Sequence, residues 1–213
     1  MKKNPFQQQQ VYKSYQDWIN FAPAFKVKPF WRILPKPKSR IGKYDIIIPP
    51  SLVFGSGGNM LTQVALNHIP DLCSKLSSKK ANILDLGCGS GILAISCAKL
   101  GFENVYGMDI SDQAIIESKK NMGLNKVKVR FSKKIPNVKY ELIVANLYGH
   151  LFLSYFETFK KIIKKDGMLW SLGFDRKQLP GVISLYEGNG FRMVENDIKT
   201  NDEHFAYIVW KRV

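Results

Sequence analysis

Cysteine is scarce in this 213-residue chain, and its three copies form no recognisable pattern. Cys73, Cys88 and Cys97 are odd in number and lack Cys-x-x-Cys spacing, which argues against a zinc site or a disulfide framework. Cysteines that form neither a disulfide framework nor a metal site are typical of a reducing compartment. We therefore expect a cytoplasmic protein that holds no metal ion.

Long apolar runs are also lacking. None reaches the roughly 18 residues that a membrane-spanning helix needs. The N-terminus leads into four glutamines instead of an apolar signal core, which predicts that the chain is not secreted. Its length fits one domain, or one domain with a short appendage, and we expect a monomer.

Acidic residues are few: 17 Asp and Glu stand against 32 Lys and Arg, which gives a net charge of +15. The excess flanks a neutral centre, because residues 1–50 and 126–213 carry it while 51–125 are balanced. Such charge can attract a phosphate backbone or a ribosome surface, so contact with ribosomal RNA is one interpretation. The other is that lysine is simply the preferred surface residue of this chain.

The first fifty residues differ in composition from the rest. Residues 1–10 are polar and rich in glutamine, which predicts disorder. In 11–50, aromatic residues alternate with six prolines, which exclude a long helix and favour short strands and turns. We expect 1–50 to be a basic, aromatic extension packed on a domain that spans 51–213. Burial of its aromatic rings is favoured over stacking on nucleic acid.

From residue 59 onward, segments with helical and strand patterns follow one another. Such alternation predicts an α/β fold, with a mostly parallel sheet covered by helices on both faces. In these sheets ligands bind at the carboxyl ends of the strands. The predicted helices are 59–76, 92–100, 111–121, 151–163 and 182–187; the predicted strands are 83–86, 105–108, 127–131, 142–145, 168–172, 191–194 and 205–210, with a turn at 166–167.

A glycine-rich loop joins the first of these strands to its helix. Asp85 precedes Gly87, Gly89 and Gly91, and glycine lets the backbone turn tightly and approach a ligand. The spacing is not the Gly-x-Gly-x-x-Gly of nicotinamide-binding folds, and no Gly-Lys-Ser/Thr follows as in a P-loop. A Gly-x-Gly-x-Gly loop after an acidic residue is typical of S-adenosylmethionine-dependent methyltransferases.

Three further features lie near strand ends or helix starts. Asp109 ends the second strand 22 residues after Gly87, where a carboxylate can bind both ribose hydroxyls or merely cap a helix. Asn146 follows the fourth strand, where it can hold an amine and the methionine end of the cofactor, or merely form a turn. A second glycine loop, 52–59, precedes Thr62 and can either fold over the cofactor or form a flexible hairpin.

Together these segments resemble the PrmA family, the methyltransferases of the large-subunit stalk-base ribosomal protein. The matching stretches are 51–62, 85–95, 107–114 and 144–148, and the resemblance covers about residues 15–213. It implies a Rossmann-like class I methyltransferase fold with a mostly parallel seven-stranded sheet and a short N-terminal extension. It also implies S-adenosyl-L-methionine as cofactor and methyl transfer to a lysine ε-amine, or an N-terminal α-amine, of a ribosomal protein.

By this resemblance Asn146 is the catalytic residue. The implied cofactor-binding residues are Phe54, Gly55, Thr62, Asp85, Gly87, Cys88, Gly89, Gly91, Asp109, Ile110 and Asn146.

Two departures from the family pattern keep alternatives open. Segment 56–60 lacks the second threonine and the histidine of the family loop, and too few residues precede the match for the family's N-terminal substrate-gripping domain. The alternatives are a lysine methyltransferase of another protein, such as the electron-transfer flavoprotein beta subunit, a ribosomal RNA methyltransferase, and a non-catalytic ribosome-binding protein that retains the fold.

Overall fold

The computed structural model describes residues 24–197 and 206–213. The predicted disorder of 1–10 therefore lies outside the described residues. The first elements form a small sheet of three short strands: β1 (Phe25–Val27), β2 (Trp31–Leu34) and β3 (Asp45–Ile47). β1 and β2 are antiparallel, whereas β2 and β3 are parallel. Within 24–50 the prediction of short strands is confirmed.

Strands and helices then alternate along the chain. The helices are α1 (Met60–Ser74), α2 (Ile92–Lys99), α3 (Asp112–Asn125), α4 (Gly149–Ser154), α5 (Phe156–Ile162) and α6 (Leu179–Glu187), with a short 3-10 turn at Arg176–Gln178. The strands are β4 (Asn82–Leu86), β5 (Asn104–Met108), β6 (Arg130–Ser132), β7 (Tyr140–Asn146), β8 (Ile163–Phe174), β9 (Phe191–Asp197) and β10 (Ala206–Arg212).

These seven strands form one sheet in the order β6-β5-β4-β7-β8-β10-β9. The five strands from β6 to β8 are parallel, and β10 is antiparallel to both of its neighbours. The chain runs from β4 outward to β6 and then returns to β7 on the other side of β4. This reversal of strand order between β4 and β7 is where parallel α/β sheets bind ligands.

Both faces of the sheet are covered, as the alternation of strand residues shows. In β4, Ile83 packs into one buried apolar cluster and Leu84 into another on the opposite face. Successive strand residues point to opposite faces, so each cluster is one side of the same sheet. The prediction of an α/β fold with a mostly parallel seven-stranded sheet and helices on both faces is confirmed.

The small sheet packs against helices α1 and α3 through buried contacts. Trp31 is 1% exposed, and its indole nitrogen donates to the carbonyl oxygen of Leu66 in α1 at 2.9 Å. The side chain of Asn125 in α3 bonds both the amide and the carbonyl of Ile47, at 2.9 and 2.7 Å. Arg32 pairs with Asp45, and this hydrogen bond holds the pKa of the Asp45 carboxyl below its usual value. The boundary at residue 50 between extension and domain stays a prediction.

Several predicted element bounds are wrong: α3 ends four residues after its predicted end, and α6 begins three residues before its predicted start. The single helix expected over 151–163 is two short helices that meet at Tyr155, and Ile163 already begins β8 because it pairs with Tyr140. The turn expected at 166–167 lies inside β8 as an irregularity, where Asp166 has a φ of 63° and the register against β7 shifts. β6 begins at Arg130, three residues later than predicted, opposite Tyr106.

Among the described residues, no helix is long and apolar enough to cross a membrane, and no cluster of His, Cys, Asp and Glu could hold a metal ion.

Candidate functional site

A cavity of about 560 Å³ opens at the carboxyl ends of β4, β5, β7 and β8. Its volume falls within the range of small-molecule sites, and it lies at the point where strand order reverses. Of the residues predicted for the site, five line this cavity: Phe54, Gly87, Asp109, Ile110 and Asn146. The other six are buried and do not line it: Gly55, Thr62, Asp85, Cys88, Gly89 and Gly91.

Asp109 lines the cavity, and each of its carboxylate oxygens accepts one hydrogen bond within the protein. One oxygen accepts a hydrogen bond from the amide of Gly89 at 3.0 Å, and the other accepts from the amide of Ser111 at 2.9 Å. Because each carboxylate oxygen has two lone-pair sites, both can accept a further bond. The capping role for α3 falls to Ser111, whose hydroxyl accepts from the amide of Ala114. Asp109 is thus fixed in place with acceptor capacity to spare.

The glycine loop is tied to β5 and to the second glycine loop. The amides of Gly87 and Cys88 both donate to the carbonyl of Met108, at 2.8 and 3.0 Å. Gly89 has a φ of 50°, and a Cβ atom there would collide with the carbonyl oxygen of Phe54. Glycine is therefore needed at position 89 both for its backbone angle and for the close approach of the neighbouring chain.

The second glycine loop lies against the first and is anchored by Ser90. The amide of Ser90 donates to the carbonyl of Phe54 at 2.9 Å, and its hydroxyl donates to the carbonyl of Gly55 at 2.5 Å. Phe54 forms part of the cavity wall and is about half exposed. Thr62, by contrast, is buried, and its hydroxyl has no hydrogen-bond partner among the described residues.

Asp85 and Cys88 are buried beneath the glycine loop. Burial raises the pKa of Asp85 to about 7, and the nearby charge of Asp109 adds to the rise, although a bond from the Ala94 amide opposes it. That bond, 3.0 Å long, ties the carboxyl of Asp85 to the first turn of α2. Burial, together with Asp85 and Asp109, also raises the pKa of the Cys88 thiol. Cys88 therefore stays a neutral thiol and is no nucleophile.

Asn146 ends β7, and the chain then crosses the end of β8. The amide of Leu147 donates to the carbonyl of Leu172 at 3.1 Å, and a Cβ atom at Gly173 would collide with the carbonyl oxygen of Leu147. This close crossing fixes Asn146 at the cavity wall and turns Tyr148 outward. Tyr148 is 78% exposed and lies at the cavity mouth.

Sequence reasoning missed part of the lining. Leu86 and Met108 are the last residues of β4 and β5, so their position at strand ends could have indicated them. Tyr148 ends the stretch 144–148 that matches the family pattern, which could have indicated it, whereas Tyr155 has no local signal and reaches the cavity at the break between α4 and α5.

The residues that line the cavity fit S-adenosylmethionine. Asp109 has spare acceptors for two hydroxyls, and Gly87, with a φ of 74°, turns the backbone at the cavity wall. Of the described residues that line the cavity, none is Lys or Arg, so a cationic ligand meets no like charge there. A phosphate ligand, in contrast, would be repelled by the carboxylate of Asp109, which is the only charged side chain among the described residues that line the cavity.

The strand order, the cavity where that order reverses between β4 and β7, and the acidic residue Asp109 directly after β5 together define the Rossmann-like methyltransferase fold. Two solved structures are similar to the chain. A ribosomal protein L11 methylase from Lactobacillus delbrueckii subsp. bulgaricus superimposes with a TM-score of 0.74 at 26% identity, covering 89% of this chain and 98% of that one. A TehB-like SAM-dependent methyltransferase from Corynebacterium glutamicum gives 0.53 at 17% identity, covering 68% and 87%.

Residues 8–212 match the family described as ribosomal protein L11 methyltransferase (PrmA), and the chain belongs to that family. The curated relative from Lactobacillus gasseri is 33% identical over 188 residues, which are 86% of this chain and 58% of the relative. The relative from Aquifex aeolicus is 36% identical over 163 residues, or 74% and 62%. The chain thus spans about three fifths of the length of these curated relatives.

Proposed function

We propose that this chain binds S-adenosylmethionine and transfers its methyl group to an amine nitrogen of a protein, in the first instance the ribosomal protein for which its family is named. The observation that carries the proposal is the cavity at the strand reversal, with Asp109 and Asn146 on strands to either side of β4. Family membership supports the same reaction class.

Asp109 would hold the ribose of the cofactor, because both of its oxygens keep a free acceptor site. Gly87 and Phe54 would contact the cofactor as cavity walls, and Ile110 would cover the side of β5. Four buried residues do not line the cavity and would instead fix the conformation of the glycine loop after β4: Asp85, Cys88, Gly89 and Gly91. Thr62 lies outside the cavity lining, and its buried hydroxyl has no described partner, so a contact between Thr62 and the cofactor stays a prediction.

When bound, S-adenosylmethionine supplies a methyl group on a positively charged sulfur. A lysine amine has a pKa of about 10.4 in water and must lose a proton before its lone pair can form the new bond. The apolar walls around Asn146 lower that pKa by removing water from the ammonium. The amide oxygen of Asn146 would accept a bond from the amine and align its lone pair with the methyl carbon. The proton that the amine loses would go to water, and Asn146 would hold the resulting lone pair toward the donated methyl group.

A protein acceptor is favoured over RNA because the chain belongs to a family described as methyltransferases of a ribosomal protein. The altered loop still begins α1 in an ordered way. Asn59 keeps the start of α1 in order, because its side chain accepts from the amide of Leu61 at 2.9 Å while it lines the cavity.

The experiment is a transfer assay with tritium-labelled S-adenosylmethionine. Purified protein is mixed with ribosomes and lysate from a host strain that lacks the gene, and the label is resolved on a gel after protease or RNase. We expect one protease-sensitive band at the mass of the ribosomal protein. A protease-sensitive band of another mass identifies a different protein substrate, such as the flavoprotein subunit.

Two outcomes contradict the proposal. RNase-sensitive label moves the function to ribosomal RNA. No label, with cofactor binding measured separately by calorimetry, supports a non-catalytic protein that retains the fold. The Asn146→Ala variant is the matched control for label that arises from a contaminating enzyme.

A further inference from the structure

The strand order divides the cavity into a cofactor side and an acceptor side. Asp109 follows β5 and Asn146 ends β7, and the two strands flank β4. Neighbouring strands are about 4.8 Å apart, so these strand ends are separated by roughly 10 Å. If Asp109 holds the ribose, the methyl donor extends toward Asn146, and the acceptor enters from the side of β8.

The acceptor side has walls that are aromatic and uncharged. Leu151, Tyr148 and Tyr155 line it from α4 and the junction with α5, and Gly173 lines it from β8. Among the described residues that line the cavity, Asp109 is the sole carboxylate, and it lies on the far side of β4. An ammonium group that enters here therefore meets no anionic side chain.

Packing in the protein core does not explain the position of Tyr148. Its side chain is 78% exposed, yet its ring lies at the cavity mouth two residues after Asn146. The ring is stacked on His150, with centroids 6.2 Å apart and planes 12° apart. Tyr155 lines the same cavity; it is partly buried, and its amide donates to the carbonyl of Leu151 at 2.8 Å, at the junction of the two helices.

Ring faces of this kind can stabilise a cation where no carboxylate is at hand. A cation within about 6 Å of a tyrosine ring centroid is attracted by the ring quadrupole, and this attraction is used to recognise methylated ammonium groups. We propose that Tyr148 and Tyr155 form a subsite for the alkylammonium group of the acceptor as it enters at the cavity mouth, ahead of its deprotonation beside Asn146, and again for the methylated product. The inference rests on the proposed function and adds the residues that select a cationic acceptor.

The test compares two small ligands of equal shape. Choline carries a quaternary nitrogen, and dimethylbutanol has a carbon atom in its place, so the two differ in charge alone. Binding of each to the full chain is measured by ligand-observed NMR titration, with and without S-adenosylhomocysteine. We expect the wild type to bind choline about fivefold or more tightly than dimethylbutanol.

Three variants assign this preference to the ring. Tyr148→Phe keeps a ring face and should keep the preference, whereas Tyr148→Leu keeps bulk but should reduce it to less than about twofold. Leu153→Ala removes an exposed apolar side chain from the same helix, outside the cavity, and should leave the preference unchanged. Because Tyr148 is exposed, these variants should fold, which near-ultraviolet circular dichroism checks.

Equal affinity for the two ligands, no binding of choline, or a preference that survives Tyr148→Leu would overturn the inference. Equal affinity that falls for both ligands in Tyr148→Leu would identify a plain apolar surface instead. The proposed function is tested separately. If the protein prefers choline but transfers no methyl group, the subsite is supported and the proposed reaction is contradicted. If it transfers methyl groups without preferring choline, the reaction is supported and the subsite is contradicted.

Discussion

Ser90 links the two glycine loops through a buried bond: its hydroxyl donates to the carbonyl oxygen of Gly55 at 2.5 Å. Its amide donates to the adjacent carbonyl of Phe54, and its own carbonyl accepts from the side chain of Asn121 in α3 at 3.0 Å. The cavity wall at Phe54 is therefore fixed by the loop that begins α2. The segment 52–59 is a packed part of the site and not a free hairpin.

Ser90→Ala should weaken both stability and cofactor binding. It leaves the carbonyl of Gly55 without its donor, which costs about 1–3 kcal/mol of unfolding free energy, and it releases the wall at Phe54. Ser96→Ala is the matched control, because Ser96 is also buried and donates to a carbonyl, that of Leu93, within its own helix. Urea unfolding and calorimetric titration with S-adenosylmethionine measure the two effects. Equal loss of affinity in both variants would contradict the linking role of Ser90.

Gly89→Ala should be far more damaging than Gly101→Ala. Both glycines have a positive φ, 50° and 91°, so each substitution strains the backbone by about 1–2 kcal/mol. A Cβ atom at Gly101 meets no heavy atom within 4 Å, whereas one at Gly89 collides with the backbone of Phe54. We expect an additional loss of about 2 kcal/mol or more for Gly89→Ala, with loss of cofactor binding. Thermal melts of the two purified variants, side by side, measure the difference.

Asp109→Asn should weaken the binding of S-adenosylmethionine by about 10- to 100-fold, since hydrogen bonds to a charged group contribute about 1.5–3 kcal/mol each. Asp112→Asn is the control: Asp112 lies three residues further on, pairs with Lys133 at 2.9 Å and is outside the cavity. Calorimetry gives both dissociation constants. Unchanged affinity in Asp109→Asn would refute a role in holding the ribose.

Asn146→Ala should lower turnover by about 100-fold or more while cofactor affinity changes by less than about tenfold, because the side chain aligns the amine and not the ribose. Asn137→Ala, at an exposed position outside the cavity, controls for the loss of an amide. Steady-state methyl transfer to the substrate identified by the labelling experiment provides the rates. Wild-type turnover in Asn146→Ala would rule out its catalytic assignment.

Asp85 should make the unliganded protein less stable as pH rises from about 4 to 7. Its folded-state pKa is about 7, above the value near 3.9 of an unfolded chain, so the folded state binds more protons across this window. Stability falls with pH wherever the folded state holds the extra proton. Asp85→Asn removes this titration while its amide oxygen can still accept from Ala94.

We therefore expect the unfolding free energy of Asp85→Asn, relative to that of wild type, to rise by about 2–4 kcal/mol between pH 4 and pH 7. Asp71→Asn, at an exposed carboxylate, should follow the wild-type profile. Urea unfolding at half-unit steps of pH gives the three curves. Parallel curves for wild type and Asp85→Asn would show that Asp85 titrates normally.

Several expectations from the sequence hold because they depend on short stretches of chain. The β4 strand, the glycine loop and α2 follow from an apolar run, three glycines and an apolar helix within a single segment. The start of the helix expected from residue 111 depends on a local pattern as well, because Ser111 caps α3. Other bounds depend on distant partners: α3 continues to Asn125 because the side chains of Asn121 and Asn125 are buried on Ser90 and Ile47.

The sequence by itself determined the α/β class, the glycine loop and the positions of Asp109 and Asn146 at strand ends, because these features depend on local patterns of apolar residues and glycine. Tertiary structure alone decided that Tyr155 faces the cavity and that Ser90 joins the two glycine loops. It also decided that Asp85 is buried beneath the loop. Each of these depends on contacts between segments far apart in the chain, and no local pattern encodes how such segments meet.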